Sequence, residues 1–494
     1  MSEEAAPSIE ATAVRGASWT IAAGLLARVV GLFGSVAITH FLDPQAVGEV
    51  GAAVVLVLLA NQFSTIGIGQ FVLAKKSEGP RAVFHANLLH VVTGVVAIGV
   101  VVALGSPLAT MFKAPHASVF IPGMAVSVLL DRIGYVPERL VIRSLRFRRI
   151  AGTRAIADIA NTAVALGLAV AGFGGWAIVL GNIVRSAIKA AVFIASADRA
   201  EWLAFHRFSR SVYKTIFDFG IPTWFGAVSE FAASRTDNLI VSYLFGPQVM
   251  AQYQVAYNLA DVPADQIGEQ VAEVLLPSFA SMDMEGRKRA VVSSTGLLAF
   301  VVFPVAIGFG AVAKTLITLV LRPVWAPVAP MLALLCVLSV LRPLTWQLGA
   351  YLLANERPRV AMVCSFAKLV VIVVTMLTLG RLGPMFACLA VGCGYMVALL
   401  IAQYSIAKAD GVPMSALLAR CVPALLACGP MVAAVLAIRY GLEYAGLGPA
   451  IGLPLEIIAG IAGFVLGAFL LAPGVTREFL AVVAEARRRR RRSS

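Results

Sequence analysis

Charge is what this sequence lacks first. Only 13% of its 494 residues are Asp, Glu, Lys or Arg, against roughly 25% in an ordinary soluble domain. The deficit is spread along the chain, which excludes one large water-soluble domain. Histidine is scarce as well. His85 and His90 in "HANLLH" stand five apart, off a common helix face, and no H-E-x-x-H occurs. The absence of G-x-x-x-x-G-K-[ST] excludes a P-loop nucleotide site. All six cysteines fall between Cys336 and Cys428 without a C-x-x-C pair, so they read as small buried hydrophobes. No catalytic residue, metal-ligand set or cofactor motif emerges. The opening "MSEEAAPSIEATAVRGASW" has neither a basic leading segment nor an A-x-A site, and is not expected to be a cleaved signal peptide.

Apolar runs take the place of charge. Sixty per cent of the residues are hydrophobic and the mean hydropathy is +0.88. A spanning helix needs about 20 apolar residues. About fourteen such runs stand near 16–40, 46–73, 83–104, 117–138, 150–171, 174–196, 216–244, 249–276, 291–312, 326–353, 360–380, 384–406, 421–438 and 450–471. The expected fold is an all-α polytopic membrane protein.

The remaining charge is distributed by side. With the start of the chain inside, the connections "KKSEGPR", "ERLVIRSLRFRR", "DRAEWLAFHRFSRSVYK", "EGRKR", "NERPR" and "KADGVPMSALLAR" fall on the cytoplasmic face. With Arg15 and the tail they carry 27 Lys and Arg, against five opposite: Lys113, Lys314, Arg322, Arg381 and Arg439. Positive loops stay inside, so both termini are predicted to be cytoplasmic. The run Arg487–Arg492 reads as an anchor against anionic lipid, not a nucleic-acid site.

An internal repeat is visible. "FLDPQAVGEV" (41–50) matches "LFGPQVMAQY" (244–253), with Trp19 and Trp224 at similar distances ahead. "YVPERLVIRSLRFR" (135–148) corresponds to "WQLGAYLLANERPR" (346–359). Two parallel six-helix halves plus two further helices account for this, with a site expected between the halves. The corresponding divisions are a cytoplasmic segment 1–14, an N-lobe 15–197, a linker 198–213, a C-lobe 214–408, two helices in 409–472 and a basic tail 473–494.

Eight cations lie inside the runs: Arg28, Arg132, Arg154, Arg185, Lys189, Arg235, Arg342 and Lys368. Each costs about 2.5–3.5 kcal/mol at a helix centre on insertion scales. Asp131, Asp158, Glu230, Asp237, Asp261, Asp265, Glu269 and Glu273 share those runs. Arg28, Arg132, Arg235 and Arg342 fall near mid-depth of runs one, four, seven and ten, which are repeat-related. Two readings stand: structural ion pairs, or a cationic vestibule between the halves. A guanidinium suits the second because its fork matches phosphate oxygens and keeps its proton. Asp261, Asp265, Glu269 and Glu273 recur every four residues and share one helix face. Asp261 is the nearest to mid-depth, where a carboxylate can exchange protons. Gly463 and Gly467 form a small-xxx-small face for close helix packing.

"FLDPQAVGEVG", "LVIRSLRFRRIA", "SRTDNLIVSYLFGPQVMAQYQVAYNLA" and "VLLPSFASM" resemble the Wzx-type polysaccharide flippases, in particular the WzxC-like branch. These belong to the multidrug/oligosaccharidyl-lipid/polysaccharide (MOP) exporter superfamily, which also holds the lipid II flippase. The likeness covers roughly residues 14–410. Ala251 stands where the family often has glycine, and "LRPVWAP" (321–327) replaces a more usual glycine before the tryptophan. The resemblance implies a V-shaped pair of six-helix lobes working by alternating access in the bacterial inner membrane. It implies undecaprenyl-pyrophosphate-linked oligosaccharide as cargo, moved from the cytoplasmic to the outer leaflet for exopolysaccharide, capsule or O-antigen synthesis. Membrane lipids, polymerase and export proteins are the partners it suggests.

On that reading Arg28, Arg132, Arg235 and Arg342 bind the pyrophosphate, and Asp237, Asp261, Asp158 and Glu230 are candidate acids for coupling to H⁺, Na⁺ or the membrane potential. Lipid II or another cargo of the superfamily is the alternative. An integral-membrane polymerase or ligase is a different class, but it needs catalytic groups on a sizeable outer loop, and every predicted outer loop here is short.

Overall fold

A computed structural model describes residues 34, 37–74, 79–144, 146–280 and 282–481. Among them there are helices and turns and no strand. The long helices, in chain order, are α1 (Pro44–Phe63), α2 (Gly79–Ala103), α3 (Ala117–Arg143), α4 (Phe147–Val170), α5 (Trp176–Ser196), α6 (Arg210–Phe245) and α7 (Pro247–Ala280). Next come α8 (Met284–Ala311), α9 (Val328–Ser339), α10 (Leu341–Ala354), α11 (Pro358–Thr378), α12 (Pro384–Asp410), α13 (Met414–Tyr444) and α14 (Pro449–Leu471). Eleven stretches among the described residues are long and apolar enough to cross a membrane, with α9 and α10 counted as one. The first run, 16–40, lies almost wholly outside the described residues.

The helices start and stop where elementary chemistry says they should. Pro44, Pro247, Pro358, Pro384 and Pro449 open theirs, because the first turn needs no amide donor there. Gly246 and Gly411 take left-handed conformations just outside helix ends, at φ 85° and 72°. Two runs that read as single spans are broken. In 46–73, Ile66 and Gly67 adopt φ 46° and 63°, so α1 ends at Phe63 and the chain resumes helically at Ile68–Ala74. In 326–353, Pro343 has no amide to offer Ser339, and α9 stops there.

The chain divides into two compact units, one holding the described residues up to Arg235 with Phe245–Ala251, the other Thr236–Leu244 and everything from Gln252. The N-terminal unit packs Ile68, Phe71, Val136, Phe193, Trp202 and Ile216 into one core. The C-terminal unit centres on Phe279, Phe300, Phe303, Tyr351, Leu399 and Met431. Outward faces stay apolar, as at Met362 and Phe366 on α11 and Ile458 and Ile461 on α14. A helix that is hydrophobic all round belongs in lipid.

Candidate functional site

A charge inside a spanning helix must find partners, so the partners define the site. Arg28 lies outside the described residues, as do the side chains of Arg235, Glu230, Asp265, Glu269 and Glu273. The geometry concerns Arg132, Asp158, Asp237, Asp261 and Arg342.

Arg132 lies about halfway along α3 and is 2% exposed. Its Nε donates to Asn61 Oδ1 at 2.7 Å. Nη2 donates to Asn61 O at 2.5 Å and to Ser64 Oγ. Nη1 reaches His90 O at 2.8 Å and Ser64 O at 3.4 Å, with His90 Nδ1 3.2 Å away. The break after α1 creates these acceptors. The hydroxyls of Ser64 and Thr65 turn back on Ala60 O and Gln62 O, and Asn61 O and Ser64 O, already bonded to Ser64 N and Thr93 Oγ1, offer their second lone pairs to the guanidinium. Their aligned dipoles present partial negative charge to the guanidinium. The fit is close: a Cβ on Gly94 would stand 2.6 Å from Arg132 Cδ.

The other cations of this unit take carboxylates. Lys189 on α5 meets Asp131 on α3 at 2.9 Å, and Ser186 donates to the same carboxylate at 3.0 Å. Arg185 on α5 pairs with Asp158 on α4 at 2.6 Å. Arg154 on α4 pairs with Glu138 on α3 at 2.5 Å. These three ion pairs tie α3, α4 and α5 to one another.

In the C-terminal unit Arg342 opens α10 beside the Pro343 break and is 5% exposed. Its Nη1 lies 2.5 Å from Asp261 Oδ1, and Nη2 donates to Tyr257 Oη. The guanidinium also stands 4.7 Å from the Tyr257 ring and 4.8 Å from that of Tyr395, with Lys368 Nζ 5.0 Å from the latter. Tyr253, Tyr257 and Asp261 recur at every fourth residue of α7, on one face. Tyr253, wholly buried, donates to Asp237 Oδ2 at 2.9 Å, and the Asn238 amide donates to Oδ1 at 2.8 Å. Asp237 and Asp261 thus end a line that runs through two tyrosines and Arg342. Chemically it is a guanidinium held by a carboxylate, a phenol oxygen and two aromatic faces.

Sequence reasoning named the charges and missed Asn61, Ser64, His90, Tyr257 and Tyr395 as partners. The fourfold spacing of Tyr253, Tyr257 and Asp261 was a usable signal. The Ser64 break carried none beyond the glycines at 67 and 69.

Known proteins share both the sequence pattern and the fold. The family model described as "Polysaccharide biosynthesis protein" matches residues 37–330. The lipopolysaccharide biosynthesis protein WzxC of Escherichia coli is 23% identical over 363 residues, 71% of each chain. The succinoglycan biosynthesis transport protein ExoT of Rhizobium meliloti is 26% identical over 345 residues, 67% of each. Among solved structures, the lipid II flippase MurJ in an inward closed conformation superposes with a TM-score of 0.73 at 13% identity, over 91% of this chain and 97% of that one. An inward-facing multidrug transporter of the MATE family, in the MOP superfamily, gives 0.61 at 15%, over 79% and 96%. At such identities the solved structures speak for the fold alone.

Proposed function

The chain belongs to the polysaccharide biosynthesis protein family and is a multi-pass protein of the bacterial inner membrane, and from this we propose that it flips polyprenyl-pyrophosphate-linked oligosaccharide from the cytoplasmic to the outer leaflet. What carries the reading is the conjunction of two similarities. The sequence matches relatives named for lipopolysaccharide biosynthesis and succinoglycan transport, while the fold follows nearly the full length of the lipid II flippase MurJ. The protein acts as a transporter rather than an enzyme in this proposal.

Arg28 and Arg235 are the proposed first contacts of the pyrophosphate. Arg342 joins them once a proton or Na⁺ on Asp261 releases it, and Arg132 joins only if the break at Ser64 opens. Asp237, Asp158 and Glu230 remain the further coupling acids. Outward movement of an anionic headgroup runs with the inside-negative potential, worth about 2.3 kcal/mol per charge per 100 mV. Return of the empty, cationic carrier works against repulsion among its own arginines, which is where a titratable carboxylate beside an arginine is useful.

The test is reconstitution in vesicles with fluorescent undecaprenyl-pyrophosphate oligosaccharide, read by lectin accessibility. The wild type should flip it. Arg28→Ala and Arg235→Ala should abolish flipping while insertion stays normal, and lysine at either site should restore only part, because the bidentate fork is lost. Asp261→Asn should slow multiple-turnover flipping while sparing one release of preloaded cargo. Normal flipping by both alanine variants would remove the arginines from the mechanism.

A further inference from the structure

The connection from α5 to α6 is more elaborate than a linker requires. Asp198 Oδ1 accepts from the Ala200 amide at 3.0 Å and starts the turn Arg199–Trp202. Trp202, 5% exposed, inserts among Ile68, Phe71, Phe193 and Ile216. Glu201 is clasped by Arg143 at 3.0 Å. The start of the segment is therefore fixed to the core.

Residues 203–208 are held in place yet uncovered. Leu203, Phe205 and Phe208 are 56%, 83% and 76% exposed. Phe205 meets Phe84 edge-on at 5.9 Å, and Phe208 stacks on Tyr213 at 5.1 Å. Exposed Arg199, Arg207, Arg210 and Lys214 surround them. Glu201 is the one acid between 199 and 214, and Arg143 already holds it.

We propose that residues 203–210 lie in the headgroup layer of the cytoplasmic leaflet, with Phe205 and Phe208 entering the acyl boundary and Arg207 and Arg210 paired with anionic phospholipid. The position supports this: the segment joins the end of α5, an apolar stretch long enough to cross a membrane, to the start of α6, whose first turns carry Arg210 and Lys214. Its composition supports it too, since aromatic rings flanked by cations of one sign suit an anionic interface. A protein partner would cover the rings equally well, but nothing in the charge pattern calls for one. The assignment to the inner leaflet rests on the positive-inside orientation. The depth of the segment is measured independently of flipping.

A chain with its six cysteines replaced by alanine, carrying Ser209→Cys with a fluorescent label, would be placed in nanodiscs with and without phosphatidylglycerol. Nitroxide tethered to lipid headgroups should quench the label more strongly than aqueous iodide, and more so with phosphatidylglycerol present. Phe205→Ser with Phe208→Ser should move the label into water, and Arg207→Gln with Arg210→Gln should remove the phosphatidylglycerol dependence. Predominant quenching by iodide overturns the proposal. So does shielding from both quenchers, which would mean that protein covers the segment.

Discussion

Two buried arginines, Arg132 and Arg342, solve burial in opposite ways. Arg342 neutralises its charge with Asp261, whereas Arg132 spends its donors on the carbonyls and hydroxyl of a broken helix end. Both were legible as buried cations, because each interrupts an apolar run. The chemistry of their partners was not legible, since the Ser64 break depends on backbone conformation inside an otherwise continuous run. For Arg132 the consequence is distinct. Truncation to alanine leaves Asn61 Oδ1 without its donor and removes the charge-assisted bonds to Asn61 O, Ser64 and His90, and a net loss on the order of 3 kcal/mol is expected from a buried network of this kind. Amide exchange across residues 60–67 should rise in Arg132→Ala, with only partial recovery in Arg132→Lys, whose three donors radiate from one point. Unchanged exchange together with lost flipping would make Arg132 a cargo contact instead.

At the scale of elements, helix identity was read from hydrophobic runs and helix contact from small residues. Gly463 and Gly467 meet α13 as the small-xxx-small face predicts: a Cβ on Gly463 would stand 2.8 Å from Pro430 O, and one on Gly467 2.5 Å from Ala427 O. The pair of Arg439 with the buried Glu456, at 3.0 Å, joins α13 to α14 as well, and Thr315 donates to the same carboxylate at 2.6 Å. Sequence placed Arg439 in an outer loop, because the apolar run before it reads as ending at residue 438. The helix actually continues to Tyr444. The glycine contact gives a test with a built-in reporter. Gly467→Leu must push the helices apart, costing about 2 kcal/mol, and should raise maleimide labelling of the buried Cys428 on α13. Gly429→Ala, with nothing within 4 Å of the added methyl, should leave that labelling unchanged. Equal labelling in the two variants would show that α14 does not depend on this seam.

At the scale of the whole molecule, the sidedness of the charge is the feature the sequence states most directly, and the helix boundaries make it sharper. α6, with 36 residues, is about 54 Å long, well beyond a hydrocarbon core of about 30 Å. It carries Arg210 and Lys214 at its first turns, so that end must leave the apolar layer. Arg143 at the end of α3 and Arg287 near the start of α8 mark helix ends of the same kind. Arg143 is bound to Glu201 at 3.0 Å, and Arg287 caps Phe279 O at 2.7 Å and Ala354 O at 3.0 Å. Arg357 at the turn before α11 is gripped by Asp410 at 2.7 Å, a hydrogen bond that raises its already high pKa. Such clusters tie neighbouring helix ends together on the face predicted to be cytoplasmic. Reporter fusions after residues 80, 148, 285 and 408 should therefore all read cytoplasm, and fusions near 113 and 381 should read the outside. Two or more reversed sites would mean that the 27-to-5 distribution of Lys and Arg does not set the orientation. The inner-leaflet placement of residues 203–210 and the inward start of the transport cycle would then both have to be redrawn.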